Sequence, residues 1–491
     1  MPAYEAVVGL EIHAQLRTVS KIFCGCSAAF GGSPNTHICP VCLGFPGALP
    51  VLNRTAVDYA LRAALALGCT ISETSIFARK NYFYPDLPKG YQISQYERPL
   101  ATAGAIAAGA DYWAPDYDIR IKRVHMEEDA GKLVHDGFPD SARRSRVDLN
   151  RAGVPLIEIV TEPDFHGPDA PKHAAQFFSY LRELLMKIGV NDGNMEEGSL
   201  RCDANVSVRP VGEERLGTKA EIKNLNSFRF VEKAVAFEID RQVDLIGEGG
   251  RVVQETRLWD AALGQTFSMR SKEEAHDYRY FPEPDLPPLV VSRSRIDAIE
   301  SALPELPAAR RRRYEAAPYA LSRKDAVTLT QAVAGLDDYF EEAVAAGADL
   351  KLAKNWLLGQ VLAKMNEEGV GSAAELRARV SPVALVGLLG LIATGAISGS
   401  IAKNVFEQMF ASGRTAHDIV AADGLTQIDD ASTIQALIAG VLSKHADVVA
   451  QYRAGKTSTV GFLVGQVMKA TAGTANPKRV NELLKQQLDA E

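Results

Sequence analysis

Several familiar signals are missing from these 491 residues, and each gap closes off a class of protein. The opening Met1–Leu10 has neither a basic start nor a long apolar run, so nothing there reads as a secretory signal. No dinucleotide-binding glycine fingerprint follows a strand-like segment. Gly455-Lys456-Thr457 imitates the end of a phosphate-binding P-loop, but Ala450 stands where the motif's first glycine belongs, which removes it. Charge of one sign is in no large excess. The 54 basic and 61 acidic residues leave −7, which argues against a surface that coats nucleic acid indiscriminately. Long hydrophobic runs are scarce too. One uncharged stretch, Val380 to Ala402, has the length of a membrane span. Its glycines (Gly387, Gly390, Gly395, Gly399) and its Ser381-Pro382 start instead predict two buried helices, the first capped at Ser381 and stopped near Gly395. A cytoplasmic protein with no membrane partner is expected.

Cysteine is rare as well, and its placement is informative. Of six cysteines, Cys24, Cys26, Cys39 and Cys42 form two close pairs with twelve residues between them. Thiolates so spaced converge on a tetrahedral ion, and four of them leave no open position. A structural zinc loop is the expectation, with free or disulfide-bonded cysteines as the alternative. Pro40 and Gly44 flank the second pair as in a tight knuckle. Cys69 and Cys202 read as packing residues.

What is present is a soluble composition, 46% apolar and 23% charged, in a chain long enough for two to three domains. Up to about Leu289 the sequence is rich in tyrosine and strand-like, with helices expected at Asn53–Leu67 and Ala170–Ile188. This predicts an α+β architecture with a mainly antiparallel sheet rather than regular βαβ units. Pro282, Pro284, Pro287 and Pro288 then mark a stiff boundary, beyond which strand signals vanish. Helices are expected over Pro304–Ala317, Asp325–Ala346 and Leu352–Glu367. The expected division is therefore 1–290, then an all-helical 291–405, then a helical tail 406–491. From Val441 onward the tail has seven Lys/Arg against four Asp/Glu, a local +3 that could meet one RNA feature or simply face solvent. Arg310 to Arg313, on a helix, would point around the axis and form a solvated face rather than one patch.

Alternation of apolar with polar residues predicts the strands that matter. Val8, Leu10, Ile12, Ala14 and Leu16 interleave with Glu11, His13 and Gln15. After Ile119 and Ile121, Val124 and Met126 oppose His125 and Glu127. Leu156, Glu158 and Val160 oppose Ile157 and Ile159. Leu200 to Val208 interleaves with Arg201, Asp203, Asn205, Ser207 and Arg209, and Ala220 and Ile222 sit against Lys219, Glu221 and Lys223. A plain wet face seldom repeats such groups, and the set suits a divalent cation with phosphate. Magnesium takes hard oxygen ligands, for which Glu11 and Glu127 lead, with Glu128, Glu158 and Glu221 in reserve. His13 is placed to lean on the same ion or to touch phosphate, although imidazole suits softer metals. Lys80, Arg201 and Lys223 are candidate counter-charges for a transferring phosphoryl group. Lys80 opens an aromatic, proline-broken loop running to Ser94 that could fold over a pocket.

Together these segments resemble a known family. The resemblance rests on Val8-Gly9-Leu10-Glu11-Ile12-His13, the cysteine pairs running into Leu43-Gly44-Phe45-Pro46-Gly47, Lys80 to Ser94, and His125-Met126-Glu127-Glu128-Asp129-Ala130-Gly131-Lys132. It continues through Gly198 to Asn205, Tyr280 to Asp285 and a helical tail at Gly461 to Leu484. The family is that of the B subunits of bacterial aspartyl/glutamyl-tRNA amidotransferases. The resemblance implies a cradle related to glutamine synthetase and guanido kinases, then a helical domain and a tail. It implies ATP-dependent activation of the side-chain carboxylate of misacylated Glu-tRNA(Gln) or Asp-tRNA(Asn), then amidation. Magnesium would sit at Glu11, His13 and Glu127, with Lys80, Arg201, Asp203 and Lys223 orienting phosphate or substrate. Partners would be an A subunit releasing ammonia from glutamine and a C subunit wrapping both. Nothing in this chain resembles a serine-rich amidase signature, so ammonia must come from outside. A freestanding ligase for a small carboxylic acid and a zinc-stabilised RNA-binding scaffold remain alternatives.

Overall fold

In the computed structural model, residues 3–271, 278–425, 430–471 and 474–490 are described. Met1 and Pro2 of the opening segment and residues 472–473 of the tail segment lie outside them. The chain divides into two compact units, Met1–Arg312 and Arg313–Glu491.

The first unit is built on a 10-stranded sheet. Tyr4–Gln15 runs through its middle, antiparallel to Leu200–Pro210 on one side and to Pro155–Thr161 on the other. Outward from Pro155–Thr161 lie Ile119–Glu128 and Ala101–Ile106. Outward from Leu200–Pro210 lie Ala220–Leu225, Glu255–Asp260 and Gln265–Ser271. Among the described strands of this sheet, only Ala220–Leu225 and Glu255–Asp260 pair in parallel, and the helix Phe228–Gly247 between them supplies the crossover such a pair requires.

The alternation works as the sequence predicts. Val8, Leu10, Ile12, Ala14, Val124, Met126, Ile157, Ile159, Cys202, Ala204 and Ile222 are all buried in one apolar core, as is Cys69. Three helices cover that side: Arg54–Ala66, Ala170–Lys187 and Phe228–Gly247. Asn53 caps the first by accepting from the backbone N–H of Thr55 and Ala56, and Ser227 caps the third through Phe230. Each large apolar side chain delivered to this core, such as Phe177, Leu181 or Val231, contributes about 1.5–3 kcal/mol by leaving water. Because these helices occupy a single side, the polar face of the central strands is left for chemistry.

Two segments correct the sequence expectations here. The Lys80 to Ser94 loop is a hairpin: Ala78–Asn81 pairs with Tyr91–Ser94, and Phe281–Pro282 adds a third strand. The Arg310 to Arg313 run is not a solvated face. Arg310 and Arg311 are buried, Arg310 pairing with Glu305 at 3.1 Å and Arg311 with Asp111 and Glu183. Arg312 donates to the Ala110 carbonyl at 2.8 Å. For Arg311 and Arg312 the partners are remote in sequence, and Ile296 and Ala308 join the first unit's core.

In the second unit all described elements are helices. The helix expected over Asp325–Ala346 is two, Arg323–Gln331 and Leu336–Ala345. They part at Gly335, whose φ of +77° lies in the left-handed region that glycine enters without strain. Ser381 caps Pro382–Ala393 through Ala384 N–H, and Leu385, Leu388 and Leu389 are buried. Gly399–Ser412 follows, so the uncharged stretch is broken, and no single described helix is long and apolar enough to cross a membrane. Two apolar clusters fill the unit, one drawn from Tyr314 to Val420 and the other from Ile434 to Leu488.

Candidate active site

Antiparallel register sets the site. His13 lies opposite Glu158 on one neighbouring strand and Arg201 on the other. Glu158 in turn lies opposite His125, and Leu156 opposite Glu127. Cross-strand partners share a face, so His13, Glu158, His125 and Glu127 project to the side without helices.

There they converge. His13 Nε2 is 3.5 Å from Glu127 Oε1 and 3.3 Å from Glu158 Oε2. His125 Nε2 is 3.4 Å from the same Glu158 oxygen and 3.8 Å from Glu127 Oε2. One ligand atom each from His13, Glu127 and Glu158 fits within 4.8 Å of the others, the reach of a single ion. Burial lowers the affinity of both imidazoles for a proton, but Glu158 and Glu127 outweigh it and hold His13 and His125 above the ordinary histidine value. The carboxylates respond in kind. Burial pushes Glu158 up, yet His125 and His13 pull it well below the usual range, and His125, His13 and Lys80 likewise lower Glu127. These buried carboxylates are kept anionic by cationic neighbours. Two carboxylates and an imidazole at this spacing fit a divalent cation, with oxygen suiting magnesium and imidazole tolerated by manganese.

The other predicted residues surround this cluster unevenly. Lys80 Nζ sits 4.9 Å from the Tyr278 ring centre and 5.9 Å from that of Tyr82. Burial lowers its pKa, but the fields of Glu127, Tyr280 and Glu158 more than restore it, so Lys80 is a fixed cation. Arg201 donates to Asp129 at 3.1 Å. Glu11 is not a member of the three-ligand group; it accepts from Asn205 at 2.8 Å, opposite Asp203 in register. Asp203 holds Lys223 at 2.5 Å, and Lys223 lies 3.3 Å from Glu221, which accepts from Thr256. These residues form a charged row on strands beside the cluster. Glu128 is turned away. One residue past Glu127 on the same strand, it takes the opposite side, pairs with Lys89 and accepts from Ile93 N–H at 2.8 Å.

Local reading missed four contributors. His125 carries the same alternation as Glu127 and could have been included on that ground. Ser94, which donates to Glu127 at 3.2 Å, comes from the separate small sheet and left no signal. Asp129, which receives Gln15 as well as Arg201, follows the end of its strand. Arg123 lies 3.9 Å from Glu158.

The cysteines form a second cluster. All four sulfurs lie within 4.8 Å of one another. A hydrogen bond from Cys24 is the largest influence pulling the Cys42 thiol down, to about 4, while burial pushes Cys26 up to about 11. Negative charge thus gathers at Cys42, where Cys39 N–H also donates at 3.1 Å. Gly44, at φ +68°, lets the knuckle pass Lys89; a Cβ there would come 2.4 Å from Lys89 Cγ. Four converging sulfurs are a donor set suited to a tetrahedral soft or borderline ion. A cavity of about 320 Å³ adjoins them, lined by Lys21, Lys89 and Glu128 among others.

A sheet with carboxylates, histidines and fixed cations gathered on the side without helices has the make-up of a catalytic domain for charged substrates. Comparison with known proteins gives the particular kind. The model of the GatB/GatE catalytic domain matches residues 6–297, and that of the GatB domain matches 338–488. The chain belongs to this family. Among its relatives, the aspartyl/glutamyl-tRNA(Asn/Gln) amidotransferase B subunit of Solidesulfovibrio magneticus is 52% identical over 488 residues, covering 99% of this chain and 100% of the relative. The protein of the same name from Thermodesulfovibrio yellowstonii is 54% identical over 481 residues, 98% of each chain. That from Myxococcus xanthus is 52% identical over 485 residues, 99% of this chain and 98% of the relative.

Proposed function

We propose that this chain is the kinase–transamidase subunit of a tRNA-dependent amidotransferase, a glutamine-using carbon–nitrogen ligase of protein synthesis. Its substrates would be Glu-tRNA(Gln), Asp-tRNA(Asn) or both, with ATP. The observation that carries the reading is the convergence of His13, Glu127 and Glu158, beside Lys80, on the helix-free face of the sheet. A relative that is named as the amidotransferase's B subunit, and that matches this chain end to end, supports it.

The chemistry follows from what a carboxylate lacks. It is anionic and has no leaving group, so ammonia does not attack it. In the first step the substrate's carboxylate oxygen bonds to the γ-phosphorus of ATP and ADP departs. In the second, ammonia's nitrogen bonds to the carbonyl carbon, inorganic phosphate leaves, and the excess proton passes to a base. Magnesium held by His13, Glu127 and Glu158 would supply positive charge to the phosphates. Lys80 adds a cation that burial does not switch off. Arg201, Asp203 and Lys223 would orient phosphate or substrate along the neighbouring row, with Asp129 holding Arg201 and Glu221 holding Lys223; Glu11, bound to Asn205, would line that row. The four cysteines would hold a structural zinc and take no part in turnover.

Ammonia would come from an A subunit that hydrolyses glutamine, with a C subunit completing the assembly in the cytoplasm. The two apolar clusters of the second unit would correspond to a helical domain and an RNA-facing tail, and the sheet unit to a glutamine synthetase-like cradle. Reconstitution tests the reading. The chain alone should not convert Glu-tRNA with glutamine, and adding A and C subunits should restore conversion with transfer of the ATP γ-phosphate to an acyl phosphate. A reconstituted complex that amidates without consuming ATP would end it.

A further inference from the structure

Apolar spacing falters in one of the strands beside the site. In Ala220–Leu225 the buried apolar side chains are Ala220, Ile222 and Leu225, the last of them one residue late for a period of two. Strict alternation would put Lys223 and Leu225 on the same face. The pairing with Leu200–Pro210 absorbs the extra residue. Ala204 lies opposite Ile222 and Cys202 opposite Leu225, so Asp203 alone faces both Lys223 and Asn224. This is a β-bulge, a feature common beside active sites because it re-aims a side chain. Asn224 forms it with a φ of +68°, in the left-handed region that asparagine enters more readily than most residues with a side chain.

The bulge lets Leu225 enter the core while Lys223 keeps its place on the polar face, with Nζ 2.5 Å from Asp203 and 3.3 Å from Glu221. Its other side is pinned as well. The parallel register with Glu255–Asp260 runs from Ala220 opposite Glu255 to Lys223 opposite Leu258. Asn224 continues it by side chain, donating from Nδ2 to the Trp259 carbonyl at 3.0 Å. Trp259 is buried and meets Phe237 edge-on, so this acceptor is fixed. Beyond the bulge, Ser227 caps the helix Phe228–Gly247. Asn224 is exposed, so no packing demand selects it; its backbone conformation and its bond to Trp259 do. Charge is not what the bulge controls. Burial lowers the proton affinity of Lys223, but Asp203 and Glu221 more than restore it. What remains for the bulge to set is where that cation stands.

We propose that Asn224 is a positioning residue for the reaction: its left-handed bulge aims Lys223 at Asp203, and through Lys223 it fixes the cation offered to phosphate or substrate. The proposal rests on the phosphoryl-transfer reading above, which places Lys223 on the charged row, and adds how the lysine is aimed. Lysine carries its charge on a flexible stem, so the backbone from which the stem starts decides which carboxylate it meets.

The test uses the complete complex with its partner subunits and follows transfer of the ATP γ-phosphate. Asn224→Val, β-branched and strained at positive φ, should lower kcat by roughly a hundredfold, the cost of a misplacement of about 1 Å at a reacting centre. Asn224→Gly adopts the same backbone freely and should recover most of that loss. Asn224→Asp keeps the conformation but has no donor for Trp259, and should fall between the two. The decisive measurement is Asn224→Val in a Lys223→Met background. If Asn224 acts through Lys223, the second substitution should add little to the first, whereas independent effects would multiply. Multiplied losses would overturn the proposal, and so would an Asn224→Gly complex as impaired as Asn224→Val. Should Asn224→Val fail to fold, Asn224→Ala in the same two backgrounds decides by the same criterion. A native complex that transfers no phosphate, or a Lys223→Met complex with native turnover, would defeat the underlying reading. A complex in which Lys223 matters and the Asn224 variants are indifferent defeats this proposal alone.

Discussion

Two groups of ligand side chains lie in the same unit and differ in nearly every respect. The sulfur quartet comes from residues 24–42, one short piece of chain, and its four like donors close around a point. The His13, Glu127 and Glu158 group is gathered from three strands, mixes imidazole with carboxylate, and borders fixed cations. The first arrangement could saturate a bound ion, which would stiffen the loop that carries it. The second leaves coordination free for something that comes and goes. The contrast teaches that ligand count and sequence span together separate a fastening from a working site.

Experiments can try to break that contrast. The largest effect should come from Glu127→Gln, which should bring reconstituted amidation to background while metal analysis finds zinc unchanged; near-native turnover would remove Glu127 from the mechanism. Replacing Cys39 and Cys42 together by serine should do the reverse. Zinc should disappear and the first unit should melt at lower temperature, since bound structural zinc contributes directly to folding. A native melting curve in that variant would show that the quartet fastens nothing.

A finer comparison lies within the open group. Glu158→Gln should weaken manganese binding, followed by titration of the metal-free protein, by more than the roughly 10–100-fold that loss of a residue behind a ligand costs. Glu11→Gln should weaken it far less, because Glu11 is engaged with Asn205. Equal losses would restore Glu11 to the ligand set. The smallest effect serves as a control away from both clusters. Asp430 caps the helix Ala431–Lys444, and hydrogen bonds from Ser432 and Thr433 pull its carboxyl down to about 2. A depressed carboxyl stabilises above its unfolded value of about 3.9 and loses that contribution as pH falls toward the folded value. Helicity measured across that acid range should fall for the native chain and change less for Asp430→Asn, with neither metal site involved.

Much of this was legible along the chain because it is local. Period-two alternation located the five strands that carry the site, Asn53 and Ser381 are the caps their helices use, and the cysteine pairs announced themselves by spacing. What escaped depends on register and on distant partners. Nothing near Glu158 says that it will face His13, while Glu11 stands two residues from His13 and looked the better ligand. The arginine run reads as solvated until Asp111 and Glu183, far back in sequence, are brought to it. Glu128 and Glu127 are chemically identical neighbours, and only the pleat assigns them to opposite sides.

The one-sided placement of helices has a kinetic consequence. Within its unit the polar sheet face is unevenly covered: His125, Glu127 and Glu158 are buried, with Ser94 of the small sheet bonded to Glu127, whereas His13, Arg201, Asp203 and Lys223 are only half-buried. An acyl phosphate made over the half-open part of that floor is open to hydrolysis as well as to ammonia. Selectivity against wasted ATP must therefore come from whatever covers the floor, and the bulk of the arriving acylated RNA is itself a shield that a small carboxylic acid could not provide.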